Sequence, residues 1–411
     1  MRAYERLLDY VKVYTTSVED QEQIPSTDRE FDLANQLVDE LKALGVADAR
    51  VDEHCYVYGT IPATPGYEAC AAIGFIAHMD TAPDFCGEHV NPQIIENYDG
   101  GEVVLGTSGR VLSPKQFPHL PGLKGQTLIT TDGTTLLGAD DKAGIAEIMT
   151  AVEELLAGDR PHGKVCIGFT PDEEVGRGAD LFDVKGFGAD YAYTVDGGGA
   201  NEVVYETFNA SGAKFEIQGV NIHPGDAKNK MVNASMVALE LASMIPRLET
   251  PEYTEGYEGY YHLTNMSGSV EKAELDYIVR DHDRASFESR EKTLRHIEKI
   301  LNEKYGAGTV KLEITEQYRN MSEMIEPCMH LIDLAGEAIK DLGMTPAVPP
   351  VRGGTDGAHL SFMGLPCPNL GTAGNACHGP YEHVSVEGMD LCVKVILGII
   401  GKYAEAGEIQ K

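Results

Sequence analysis

The sequence runs to 411 residues and carries 33 Lys+Arg against 65 Asp+Glu, a formal net charge of −32. At roughly 150 residues per domain this length suits two or three domains, and 42% apolar residues is too many for a disordered chain. Nucleic acid and anionic membranes both call for basic patches, so the acid excess argues against either as a partner.

Cys55, Cys70, Cys86, Cys166, Cys328, Cys367, Cys377 and Cys392 are scattered and form no CxxC pair. They read as free thiols rather than a disulfide framework. The N-terminal MRAYERLLDYVKVYTT has charges spread through it and no apolar core, so no signal peptide is expected. The most apolar run, VKVILGII, is far shorter than the about 20 residues of a membrane span. A cytoplasmic globular protein is the expectation.

Two amphipathic helices open the chain. Leu7, Leu8, Val11 and Tyr14 mark the first; the second is expected from Thr27, with Glu30 completing a capping box, through Phe31, Ala34, Leu37, Val38 and Leu41 to Gly45. AAIGFIA (71–77) reads as a fully buried strand. A helix after Asp141 puts Ile145, Ile148, Met149, Val152, Leu155 and Leu156 on one face, and KVCIGFT (164–170) and YAYTV (191–195) are further buried strands. Strands alternating with helices predict an α/β sheet with helices packed on it.

From about 208 to 317 the pattern becomes strand, helix, strand, strand, helix, strand: AKFEIQG, MVNASMVALELASMI, YYHLTNMSGSV, ELDYIVRDH, ASFESREKTLRHIEKILNEKYG and TVKLEITEQY. This βαββαβ order is that of a ferredoxin-like α+β module. The first style then resumes, with a helix near 328–341, RGGTDG, a short strand, a glycine-rich loop and a closing helix. The expected organisation is an α/β domain of 1–207 and 318–411 interrupted by a smaller domain of 208–317.

Acids and histidines gather where the predicted strands end, the edge at which open α/β sheets bind ligands. AAIGFIA runs into His78-Met79-Asp80, whose outer members project to one side of an extended chain. Asp140 and Asp141 precede a helix, Glu173 and Glu174 follow KVCIGFT, Asp196 follows YAYTV, and His378-Gly379-Pro380-Tyr381-Glu382 lies near the C-terminus. Any one of these acids alone reads as a helix cap or turn residue. Five strand ends on one sheet edge would instead gather carboxylates that repel unless a cation is present. Mixed imidazole and carboxylate donors suit zinc, with manganese or cobalt as substitutes, and the surplus of donors suits two bridged ions. Paired acids such as Glu173-Glu174 can divide the work, one holding metal and one serving as general base, while Asp80 suits orienting His78.

The stretches GFIAHMDTAPDFCGEHVNPQIIENYDGG, LITTDGTTLLGADDKAGIAEIMT, FTPDEEVGRGA, YTVDGGG, NIHPGDAKNKMVNA, TEGYEGYYHL, YIVRDHDR and RGGTDGAHLSFMGLPCPNL span nearly the whole chain. Together they resemble the M20 family of zinc metallopeptidases, and within it the tripeptide aminopeptidases. The resemblance implies a zinc-exopeptidase-like catalytic domain with a mixed sheet, interrupted by a lid and dimerisation domain, and a homodimer acting on tripeptides. It implies that His78, Asp140 and Asp196 hold one zinc, that Asp140 bridges, and that Glu174 and His378 complete the second. Glu173 corresponds to the general base and Asp80 to the acid behind His78. His223 matches a histidine that stabilises the oxyanion, supplied by the partner subunit in M20 dimers. Arg280 matches the arginine that takes the substrate carboxylate, and Arg352 lines the same region. An M20 dipeptidase, or a deacylase of N-acyl amino acids, would share most of these residues. Ala376 and His383 stand where the family pattern has an asparagine and an aromatic, and Cys377 beside His378 is also unexpected.

Overall fold

A computed structural model describes residues 1–409. It divides into two compact units: Met1–Tyr205 with Met321–Pro349 and the chain from Thr355 onward, and Glu206–Asn320 with Pro350–Gly354.

Runs of β-branched and aromatic residues without polar interruption make strands buried on both faces. Ile73–His78, Val165–Thr170 and Tyr191–Val195 are buried at every position. They form the parallel centre of a seven-stranded sheet, with Ile73–His78 in the middle. The full order is Arg50–Val51, Val57–Ile61, Val165–Thr170, Ile73–His78, Tyr191–Val195, Asn369–Leu370, Val203–Val204; Asn369–Leu370 also pairs parallel to Tyr191–Val195, while Arg50–Val51, Val57–Ile61 and Val203–Val204 pair antiparallel, so the sheet is mixed. One face carries the helix Ala139–Ala157, which packs on Ile73–His78 and against the helices Ala3–Tyr10 and Val386–Ala406. Tyr56, Tyr58, Phe182 and Phe187 belong to a separate apolar cluster. A second sheet in this unit, all antiparallel, runs Gly374–Asn375, His383–Ser385, Leu128–Thr130, Gln93–Ile95.

The second helix begins at Glu30, with Arg29 as its cap, and the expected capping box from Thr27 does not form. Glu30 has a competing partner: its buried carboxylate accepts the backbone N–H of Asp172 at 3.2 Å, and Thr27 Oγ1 accepts from the Arg29 guanidinium at 2.8 Å.

In the inserted unit, alternation of buried and exposed residues along Asn209–Gln218 is the period-two signature of a strand buried on one face. The sheet order is Tyr260–Gly268, Lys272–Asp281, Asn209–Gln218, Val310–Tyr318, every pair antiparallel. That is the ferredoxin-like arrangement of the split-βαβ motif. The helices Ala234–Met244 and Arg284–Tyr305 pack on this sheet. Asn233 and Asp283 cap them, accepting from Ser235 N–H at 3.1 Å and Ser286 N–H at 2.7 Å. Phe287, Leu294, Ile297 and Leu301 recur on one side of the longer helix and meet Phe215 and Leu275 in the core.

Candidate metal centre

Three neighbouring parallel strands each deliver acids or an imidazole at their carboxyl ends: His78 and Asp80 from Ile73–His78, Glu173 and Glu174 from Val165–Thr170, and Asp196 from Tyr191–Val195. The expectation of five ends on one sheet holds for these three. Asp140 comes instead from the kinked entry to the helix Ala139–Ala157, where Asp140 and Asp141 depart from helical backbone, and His378 from the loop between two strands of the second sheet. Gly138 makes that helix entry possible: it sits at φ +76°, where a side chain would be strained, and a Cβ there would meet Thr81 at 3.2 Å. Gly144 allows the helix to lie against the Asp196 strand, since a Cβ at that position would fall 2.0 Å from Val195 O.

His78 is buried at the middle of the group. Its Nδ1 donates to Asp80 O at 3.1 Å and lies 3.3 Å from Asp80 Oδ1, leaving Nε2 as the nitrogen that could take a metal, 3.0 Å from Asp140 Oδ1 and 3.9 Å from Asp196 Oδ1. The other Asp140 oxygen is 3.3 Å from His378 Nε2, which is 2.9 Å from Glu174 Oε2. One carboxylate thus turns each of its oxygens to a different histidine, the disposition of a bridging ligand. Asp80 does more than orient His78: Oδ1 accepts the backbone N–H of Glu173 at 3.0 Å and Oδ2 that of Glu174 at 3.1 Å. It therefore holds the turn that carries both acids. That turn begins at Asp172, which sits at φ +54°, and His378 sits at φ +62°, left-handed positions that cost a non-glycine residue energy.

Two sets of ligand atoms fall within 4.8 Å of one another: His78, Asp141 and Asp196, and His78, Asp140 and Glu174. Asp141 stands among the acids the sequence gathers at this turn but has no role assigned there. Its Oδ2 is occupied by the backbone N–H of His78 at 3.1 Å and it is 1% exposed, so Asp140, more open and facing two imidazoles, is the better donor. Glu382 was also missed as a site residue; it accepts three backbone amides of the Asp140 turn. Its place four residues after His378 was the available signal.

The electrostatics follow from the crowding of carboxylates into a largely enclosed space. Burial, and then the charge of Asp140, raises Asp196 well above the ordinary carboxylate range. Burial and the charge of Asp196 do the same to Glu173. Hydrogen bonds to Asp140 and Glu174 push the His378 imidazole up to about 11. Burial opposes the charge of Asp140, but its bonds to His378 and His78 hold it below the usual range. Glu174 Oε1 and Asp141 Oδ1 are buried without a hydrogen-bond partner. A donor set of two imidazoles with Asp140, Glu174 and Asp196, including an orphaned buried oxygen, fits divalent cations.

His383, in the place of an aromatic, behaves as one. Its ring is fully buried, edge-on to Phe117, and its Nε2 lies 2.8 Å from that of His119; burial lowers it to about 4. Cys377 is one of eight free cysteines.

His223, Arg280 and Arg352 lie in the inserted unit. His223 is exposed, and its Nδ1 accepts from Gly225 N–H at 3.2 Å. Arg280 is buried, with Nη1 donating to Val279 O at 2.9 Å and Ser211 O at 3.2 Å and the guanidinium over the Tyr318 ring. Arg352 clamps the 254–258 loop, donating to Gly256 O, Glu258 O and Thr254 Oγ1 at 2.8–2.9 Å, and stacks near Phe208 and Tyr260.

A family model described as a peptidase dimerisation domain matches residues 205–309. By solved structure, the chain resembles the aminopeptidase PepT from Bacillus cereus ATCC 10987, with a TM-score of 0.77, 22% identity and 98% of each chain covered. It also resembles a Bacillus subtilis protein described as a dinuclear metal binding peptidase from the M20 family, with a TM-score of 0.64, 13% identity and 99% of each chain covered. Peptidase T of Clostridium perfringens (strain 13 / Type A) is 54% identical over 407 residues, 98% of this chain and 99% of that protein. With that identity along nearly its entire length, the chain belongs to the peptidase T family.

Proposed function

We propose that the protein is a metallo-aminopeptidase that releases the N-terminal residue of tripeptides. The observation that carries this reading is the Asp140 carboxylate, one oxygen 3.0 Å from His78 and the other 3.3 Å from His378, in a chain whose relatives are peptidase T. His78, Asp140 and Asp196 hold one ion and Asp140, Glu174 and His378 the other, with zinc as the metal and cobalt or manganese as substitutes. When bound, the two cations polarise the scissile carbonyl and lower the pKa of a water molecule. Glu173, which is not needed as a ligand, takes the proton of the attacking water and passes it to the leaving amine. Asp80 keeps His78 in the tautomer that presents Nε2 and fixes the Glu173 backbone.

The inserted domain, 208–317 as read from sequence, serves as lid and dimerisation domain of a homodimer in the cytoplasm. His223 of one subunit donates to the oxyanion in the other. Arg280 takes the far carboxylate of the substrate, assisted by Arg352. Arg280 suits this because, among the described residues, no carboxylate pairs with its buried guanidinium, and its Nε and Nη2 donors remain for a planar anion. Limiting length by the reach from ions to guanidinium is what would make tripeptides the substrate.

Assaying trialanine, dialanine and an N-acetyl amino acid side by side tests the reading. Trialanine is expected to be the preferred substrate, and preference for the acetylated compound would overturn it.

A further inference from the structure

Glu382 has no ligand or proton-transfer role above, yet it is 1% exposed and its carboxylate accepts three backbone amides. Oε2 accepts the N–H groups of Leu137 at 2.7 Å and Gly138 at 2.8 Å, and Oε1 accepts that of Asp140 at 2.9 Å. The carboxylate is itself anchored. Its backbone N–H closes a turn to Gly379 O at 3.2 Å, next to His378. The following residues are pinned by the ladder His383–Thr130, Val384–Ile129 and Ser385–Leu128. A single side chain therefore ties the loop of one metal histidine to the turn of the shared aspartate.

We infer that Glu382 is a positioning residue for the bridging Asp140, fixing its backbone and, with it, the spacing of the two metal sites. The inference rests on the metal reading above. It differs from a general structural role in what it controls. A buried acid that only stabilised the fold would change melting without changing how tightly the folded protein holds metal. A positioning residue changes metal affinity itself. Groups behind metal ligands typically control affinity by about 10–100-fold. In Glu382→Gln the new amide N–H₂ faces backbone donors, so at least one of the three bonds becomes donor against donor.

The test is zinc affinity by competition with a chelator, on wild-type protein and on Glu382→Gln, each checked for folding by circular dichroism. Two tight equivalents in the wild type, with at least one weakened about 10–100-fold in the variant, is the expected result. Equal affinities in the two folded proteins would overturn the role of Glu382 while leaving the metal reading intact. A wild type that binds no zinc would instead overturn the metal reading, and this inference with it. Amide exchange in the zinc-loaded wild type keeps the inference open to refutation even if the variant does not fold. The amides of Leu137, Gly138 and Asp140 are expected to be protected, and exchange at open-loop rates would overturn the inference.

Discussion

Replacing Asp80 by asparagine separates two roles that one side chain combines. The carboxylate stands 3.3 Å from His78 Nδ1 and accepts the amides of Glu173 at 3.0 Å and Glu174 at 3.1 Å. Asparagine keeps the shape but offers one acceptor oxygen, so its Nδ2 faces the Glu174 amide in one orientation and both the imidazole and the Glu173 amide in the other. Losing one charge-assisted bond costs about 1.5–3 kcal/mol, which is roughly a 10- to 150-fold loss of rate if it is felt in the transition state. Metal affinity should fall too, by about 10–100-fold, because His78 loses its anionic partner. The two effects are separable by measuring kcat and KM on trialanine while raising zinc until occupancy is restored. If Asp80 also holds the turn of the general base, kcat stays depressed at full occupancy. Complete recovery of kcat with excess metal would refute that second role.

Other consequences lie farther from the reacting atoms. Glu147 is fully buried with only the Cys392 thiol facing its carboxyl, and burial holds that carboxyl well above the ordinary range. Its neutral form supports the fold below the unfolded value of about 4.3, and that support is lost as pH rises through the raised folded value. Glu147→Met should therefore stabilise the protein at pH 8 by about 1–3 kcal/mol and by less at pH 4.5; denaturant melts that show the variant weaker at pH 8 would count against this. Gly144→Ala drives a methyl group to 2.0 Å from Val195 O, beside Asp196. Melting should report a loss of about 1–3 kcal/mol or more, together with weakened zinc binding, and wild-type values of both would show that the contact relaxes freely. Arg280→Lys removes the planar fork, so KM for trialanine should rise by about 10-fold or more, equivalent to ~1.5 kcal/mol; an unchanged KM would remove Arg280 from substrate binding.

The strands that place the centre were legible because each is a long apolar run ending in an acid or imidazole: IGFIAH into His78, VCIGFT into Glu173, YAYTV into Asp196. The inserted module was legible through its alternating strand Asn209–Gln218 and the apolar face of Arg284–Tyr305. The second sheet was not, since strands of two or three residues, such as Leu128–Thr130 and His383–Ser385, are too short to show a period. Its absence from the reading is why Asp140 and His378 were assigned to the edge of the main sheet. Asp141 and Glu382 escaped for a different reason. They act on backbone amides, and no spacing in a sequence announces which amide a carboxylate will accept. Glu30 illustrates the same point, resembling a capping acid locally while its partner, Asp172, lies 142 positions away.

The central claim is that two cations held by His78, Asp140, Glu174, Asp196 and His378 are required for aminopeptidase activity. Stripping the protein with a chelator and titrating zinc back while following trialanine hydrolysis tests it most directly. Activity should be absent in the stripped protein and rise to a plateau near two equivalents per chain. Full activity in the stripped protein, or no activity at any zinc loading of a folded protein, would contradict it.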